Sequence, residues 1–355
     1  MQPTAFFILA GAACSLASPA VIARQDTSEK ASPVQFELFS QYAQAAYCQD
    51  LFNTVAGSVV CTDHKGPVCA NFQGTVTVKE FSNDAFDTIA GYVAVNPTKK
   101  HIVVAFKGTD PMSLVDVKSD LAKNLVSAAD LFPACGRCTT HNGFKKAFSS
   151  VKDALEQTLK TELAKTGQES YRVVVTGHSL GGAVATIAGA YLRTRGIACD
   201  LYTYGSPRVG NQEFADMVTK DVNFSARITN GNDIVTAVPY GSLFQLGFYA
   251  HTFPEYWYKA GLLGTSQGYQ GVVTKCNTRE ECAGPTCGKA SIPNVVALST
   301  CNVSHHVNYI DPAVLPCKDV RKPKSDDPRD APITDEEFRK FLEEQENEEG
   351  DQKRE

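Results

Sequence analysis

The chain has 355 residues, 43% of them apolar, with 34 basic and 39 acidic side chains and a formal charge of -5 at pH 7. From Lys318 onward 9 basic and 14 acidic residues carry the whole acidic excess, so the remainder is neutral and offers no footing for a nucleic-acid partner. The apolar content suffices for one large core. No stretch approaches the roughly 18 uninterrupted apolar residues of a membrane helix, so no transmembrane anchor is expected.

Residues 1–20 hold the apolar run Ala5 to Ala10 followed by small residues up to Ala17 and Ala20, the pattern of a secretory leader. Export makes disulfides the expected use of the twelve cysteines. Cys14 leaves with the leader. Cys199, inside the apolar stretch Ile197 to Tyr204, reads as a buried thiol, and Cys135-Gly136-Arg137-Cys138 as a local bridge. Sequons at Asn223-Phe224-Ser225 and Asn302-Val303-Ser304 are compatible with the same compartment.

Phe36, Leu38, Phe39, Tyr42, Ala43 and Ala46 recur at helical intervals and predict an amphipathic helix closed by Cys48. Cys61 and Cys69 lie among turn residues. Three strands are predicted next: Thr75 to Phe81, Gly91 to Val95 and His101 to Phe106. The third delivers the chain to Lys107-Gly108-Thr109-Asp110, where Thr109 offers a backbone N–H and a hydroxyl to an oxyanion. From Pro111 to Leu131 apolar and charged residues alternate irregularly, as in a lid or a fixed surface helix. His141 to Lys165 reads as a long amphipathic helix with Phe144, Phe148, Val151, Leu155 and Leu159 on one face.

The β-branched run Tyr171 to Thr176 leads into Gly177-His178-Ser179-Leu180-Gly181-Gly182, and an apolar helical pattern follows from Ala183 to Leu192. Strand, tight turn and helix are the setting that a G-x-S-x-G nucleophile elbow requires. Ser179 is the predicted nucleophile and the Leu180 N–H the second oxyanion donor; His178 is expected to pack under the turn, pointing away from Ser179. Leu201 to Tyr204 and Ala226 to Thr229 read as further strands, joined by the turn-rich Gly205 to Asn211. Asp233 lies in the loop after the second of these, where a triad acid belongs, with Asp221 as its rival. His251, His305 and His306 are the candidate bases; His251 opens an aromatic run, Phe253 to Tyr258, that would line a wall of the site. Cys276, Cys282, Cys287 and Cys301 bound an insert whose pairing stays open. After Cys317 the composition is that of a charged, disordered tail, with a short helix around Phe338, Phe341 and Leu342.

Together these stretches resemble the fungal class 3 lipases, the Rhizomucor and Thermomyces type that includes mono- and diacylglycerol lipases and feruloyl esterases. The resemblance runs from Phe36 to Cys317. It is carried by Ala45 to Cys48, Val104 to Thr109, His141 to Phe144, Thr176 to Gly182, Tyr204 to Asn211, Asn232 to Val235, Pro254 to Trp257 and His306 to Tyr309. It implies an α/β-hydrolase fold, a mostly parallel central sheet with helices on both faces, over residues 21–317, between a leader at 1–20 and a tail at 318–355. It also implies Ser179, Asp233 and His306 as the triad, Thr109 and Leu180 as the oxyanion hole, and bridges Cys48–Cys317, Cys61–Cys69 and Cys135–Cys138. Lys107 stands where the family has arginine, Val117 replaces the lid tryptophan, and the four-cysteine insert is long for the family.

The resulting expectation is a secreted, monomeric serine hydrolase of acylglycerol esters, acting without cofactor or metal and touching lipid surfaces through the segment after Asp110. The alternatives are an esterase of feruloyl or other soluble esters and a silent secreted lipid-binding protein.

Overall fold

The computed structural model describes residues 27–48, 60, 71–82, 89–108, 125–239, 249–259, 268–278, 281, 301–302, 304–309 and 336. Thr109, the body of the expected lid, the leader, the tail, and Cys14, Cys61, Cys69, Cys282, Cys287 and Cys317 lie outside these residues.

Helices α1 (Thr27–Lys30) and α2 (Pro33–Ala45) come first. Ser32 caps α2 by accepting the Gln35 N–H, and Pro33 opens it, both favourable at a helix start. Strands β1 (Val76–Ser82), β2 (Ala90–Asn96) and β3 (His101–Phe106) form an antiparallel meander. After β4 (Leu125–Ser127) and β5 (Thr139–His141) comes α3 (Asn142–Leu163), whose first N–H groups, Gly143 and Phe144, donate to His141 Nδ1. The chain continues through β6 (Arg172–His178), α4 (Leu180–Thr194), β7 (Asp200–Tyr204), β8 (Gly210–Asn211), α5 (Gln212–Thr219) and β9 (Ser225–Asn230). Strands β10 (Tyr249–Ala250), β11 (Glu255–Tyr258) and β12 (Thr274–Cys276) and the short helix α6 (Ser304–Val307) complete it.

The main sheet has the order β1-β2-β3-β6-β7-β9-β11-β12, and β3 through β11 run parallel. A parallel sheet must be covered on both faces, and the side-chain alternation shows how. Ile102, Val104, Phe106, Val173, Val175 and Leu201 face the core built with α3 and α4. Val103, Ala105, Val174, Tyr202 and Tyr204 face the core built with α2. This is the α/β-hydrolase arrangement of three layers.

At the amino ends of the parallel strands an ion cluster pins the sheet. Arg172 Nε meets Asp200 Oδ2 at 2.6 Å, Lys30 Nζ meets the same carboxylate at 2.9 Å, and Arg172 Nη1 donates to Gln35 at 2.7 Å. The carboxyl ends are left to the site.

Three expectations change. Leu125 to Leu131 is not helical: Leu125–Ser127 pairs with β5, and Ala128, Leu131 and Phe132 turn into the core beside the Cys135–Cys138 bridge. The Gly205 to Asn211 loop contains β8, which pairs with both β5 and β10 in a second sheet of order β10-β8-β5-β4. The aromatic run is a sheet strand rather than a wall of the site, because Tyr256 and Tyr258 pack into the α2 core and Trp257 donates to the Gly231 carbonyl at 2.8 Å. Cys199 is a buried free thiol, and Cys48, Cys276 and Cys301 are disulfide-bonded. Among the described residues no helix is long and apolar enough to cross a membrane.

Candidate active site

Ser179 stands between β6 and α4 with φ 58° and ψ −130°, a left-handed conformation that non-glycine residues seldom hold. The turn closes because glycines flank it. A β-carbon on Gly177 would run into the Gly181 carbonyl, and one on Gly181 into the carbonyl of Phe106 at the end of β3. Gly108 is packed as closely against the Tyr47 hydroxyl, the His178 carbonyl and Ser179 Cβ. The stretch that leads to Thr109 is thereby held beside the serine. Leu180 is the first residue of α4, where an N–H has no intrahelical acceptor and the helix dipole favours negative charge.

His306 on α6 lies across from the serine. Its Nε2 is 2.8 Å from Ser179 Oγ, and its Nδ1 is 3.0 Å from both carboxylate oxygens of Asp233. A neutral imidazole donates from one nitrogen only. With a carboxylate at Nδ1 the proton belongs there, leaving Nε2 to accept the serine O–H. Asp233 also accepts the Tyr309 hydroxyl at 2.7 Å and the Val235 N–H at 2.9 Å. Burial, followed by the Asp233 charge and the bond to it, pushes the Tyr309 phenol well above its usual pKa, so it stays a donor. Ser179, His306 and Asp233 are each only 1% exposed.

Behind His306, His178 does not point away from the site. Its ring stacks on His306 with centroids 4.6 Å apart. Its Nε2–H donates to the His306 carbonyl at 2.9 Å, so Nδ1 accepts the Tyr47 hydroxyl at 3.0 Å. Burial, and secondarily the neighbouring His306, lowers its pKa to about 3. His178 is thus a neutral strut beneath His306.

The other candidates are committed elsewhere. His305 Nδ1 accepts the Asn232 N–H at 2.9 Å, and His251 Nε2–H donates to the Thr236 carbonyl at 2.8 Å. Asp221 lies 3.7 Å from Arg193 and accepts from Asn223. Sequence reasoning assigned no role to Tyr309, Asn230 or Gly205. Their signal is polarity or minimal size at the carboxyl ends of β7 and β9 and three residues beyond the histidine. Among the described residues no group of three or more His, Cys, Asp and Glu side chains could hold a metal ion.

The sequence profile of the family described as lipase (class 3) matches residues 103–242. A mutant form of MDLA from Penicillium cyclopium is 30% identical over 82% of this chain and 100% of its own, with a TM-score of 0.62. The chain belongs to the class 3 lipases. Within that family it is also similar to the structure of a mono- and diacylglycerol lipase from Aspergillus oryzae, at 29% identity over 80% of this chain and 98% of that one, TM-score 0.64. By sequence it is 46% identical over 137 residues to the secreted mono- and diacylglycerol lipase 1 of Fusarium solani, 38% of each chain. The sequence alignments to these curated relatives therefore span well under half of those proteins.

Proposed function

We propose that this class 3 lipase is a secreted serine hydrolase that cleaves carboxylic esters of acylglycerols through an acyl-enzyme. The observation that carries the reading is the unbroken chain from Ser179 Oγ through His306 to Asp233, at 2.8 and 3.0 Å, at the head of a helix. Ser179 Oγ attacks the ester carbonyl while His306 Nε2 takes its proton. His306 then gives that proton to the departing alcohol. A water deprotonated by the same nitrogen cleaves the acyl-enzyme, releasing the acid and restoring Ser179. Asp233 holds the imidazole in the tautomer that leaves Nε2 free and stabilises the imidazolium. The oxyanion is received by the Leu180 N–H and by Thr109, where losing one donor typically costs about 10²- to 10³-fold in rate.

Two observations support a lipid ester and export. Relatives from Fusarium solani and Penicillium cyclopium are named secreted mono- and diacylglycerol lipases. Ser179 is 1% exposed, so an ester reaches Oγ only after the groups packed around it give way; contact with a lipid surface through the segment after Asp110 is the trigger we propose. On this reading residues 1–20 are the leader, 21–317 the hydrolase domain and 318–355 a tail.

The test compares hydrolysis of a triolein or diolein emulsion, a short soluble ester and methyl ferulate. The proposal expects the emulsified acylglycerol to be preferred, with a rate rise when the substrate passes its solubility limit. Preference for methyl ferulate without that rise would replace the lipase by a feruloyl esterase, and lipid binding without turnover of any ester would replace it by a silent lipid carrier.

A further inference from the structure

Helix α6 carries His306 but spans only Ser304–Val307, a single turn that cannot hold its own direction in water. Its orientation has to be imposed from outside, and the structure shows where the restraint comes from. Asn230, the last residue of β9, is fully buried. Its Nδ2 amine donates to the His305 carbonyl and to the Asn308 carbonyl, each at 3.1 Å. One side chain therefore grips the backbone on both sides of His306. The backbone of Asn230 does as much. Its N–H donates to the Tyr309 hydroxyl at 3.0 Å, and its carbonyl accepts the Asp233 N–H at 3.1 Å.

We infer that Asn230 is a positioning residue for the reaction: it fixes the turn bearing the base to the same strand end that delivers the acid. The inference rests on the serine-hydrolase reading above. The two-carbonyl grip dictates the side-chain type. An NH₂ group supplies two hydrogens from one atom; a hydroxyl supplies one, a carboxylate none, and an aliphatic side chain would strand both carbonyls. The amide cannot be reversed either, since the flipped form would aim Oδ1 at two carbonyl oxygens.

Among the described residues Asn230 Oδ1 has no hydrogen-bond partner, so the side chain's bonding lies on its donor side, in the grip on the backbone either side of His306. His178 completes the restraint by holding the carbonyl of His306 itself.

The test is steady-state kinetics of Asn230→Asp and Asn230→Ser on a short soluble ester, with active sites counted by fluorophosphonate titration at a temperature well below both melting points. Asn230→Asp sets a carboxylate against two carbonyl oxygens; Asn230→Ser keeps one donor and serves if the carboxylate prevents folding. The expected result is a fall in kcat per titrated site of about 10- to 100-fold, the scale that a misplacement of up to 1 Å produces, with KM changed far less. Wild-type kcat and KM per titrated site, with only a lower Tm, would overturn the inference. Ser179→Ala run alongside separates the failures. If it retains turnover the serine reading itself falls, whereas an inactive Ser179→Ala beside fully active Asn230 variants removes only the positioning role.

Discussion

Replacing Gly205 by alanine should damage fold and site together. Gly205 follows β7 at φ +56°, and a β-carbon there would stand 2.7 Å from Asp233 Oδ2, 2.8 Å from Tyr309 Cε2 and 3.0 Å from His306 Nδ1. An L-residue in the left-handed region costs roughly 1–2 kcal/mol. Forcing a methyl into filled space adds typically about 1–3 kcal/mol. A combined loss of about 2–5 kcal/mol should lower Tm by at least about 4 °C in a domain of this size. The crowded atoms belong to Asp233, Tyr309 and His306, so relief comes from moving the carboxylate away from the imidazole. That displacement should reduce kcat by about 10- to 100-fold. Hydrolysis of a short soluble ester per titrated active site, together with a thermal melt, measures both effects. Wild-type kcat per site with an unchanged Tm would refute the claim that the close approach of β7 to the acid–base pair sets its geometry.

Tyr309→Phe removes a donor from Asp233 and leaves the buried Asn230 N–H without its acceptor. A stability loss of about 1–3 kcal/mol in denaturant melts is expected, with lower kcat, and an unchanged denaturation midpoint would contradict it. His101, buried at the opposite end of the sheet, has its pKa lowered to about 4, by burial first and Arg172 second. The unfolded chain protonates near 6.5 while the folded chain does not, so this residue's contribution is complete above about pH 6.5 and is lost as pH falls toward 4. The slope is up to about 1.4 kcal/mol per pH unit. His101→Phe, which keeps a ring beside Phe39, should flatten the pH dependence of stability in that window, and an unaltered slope would count against it. Of the two sequons, Asn223 Nδ2 is bonded to Asp221 and the Ser225 hydroxyl is engaged by Arg193. Asn302 spends only Oδ1, on Ser304, and leaves its amide nitrogen unbonded among the described residues. Peptide mapping of protein secreted from a eukaryotic host should find a glycan on Asn302 and none on Asn223; the reverse pattern would show that folded-state geometry does not govern occupancy.

The central strands were readable because both their faces are buried. Val103, Val104, Val173, Val174 and Val175 form unbroken β-branched runs, and the elbow glycines mark a place where strand and helix meet too closely for a β-carbon. The choice between His305 and His306 was not readable from the residues themselves, since the two are adjacent and both follow Asp233 in the chain. It is a matter of which ring a four-residue helix turns toward Ser179, and Asn230, Asn232 and His178 impose that turn from distant parts of the chain. Asn230 carried no local signal for the same reason: an asparagine ending a strand reads as a turn residue, and its value lies in two carbonyls more than seventy residues away. The aromatic run after His251 misled because aromatic side chains suit a buried strand as well as the wall of a pocket. Leu125 to Ser127 misled through its neighbours, since the apolar spacing of the preceding stretch hides a strand whose partner is β5.

The most direct test of the account is to treat the purified protein with a fluorophosphonate and locate the adduct by peptide mass spectrometry. The account predicts one adduct per molecule, on the oxygen of Ser179, with ester hydrolysis lost in proportion to labelling and neither labelling nor hydrolysis in Ser179→Ala. Hydrolysis that persists in the fully labelled protein, or an adduct on another residue that accounts for the lost activity, would contradict it.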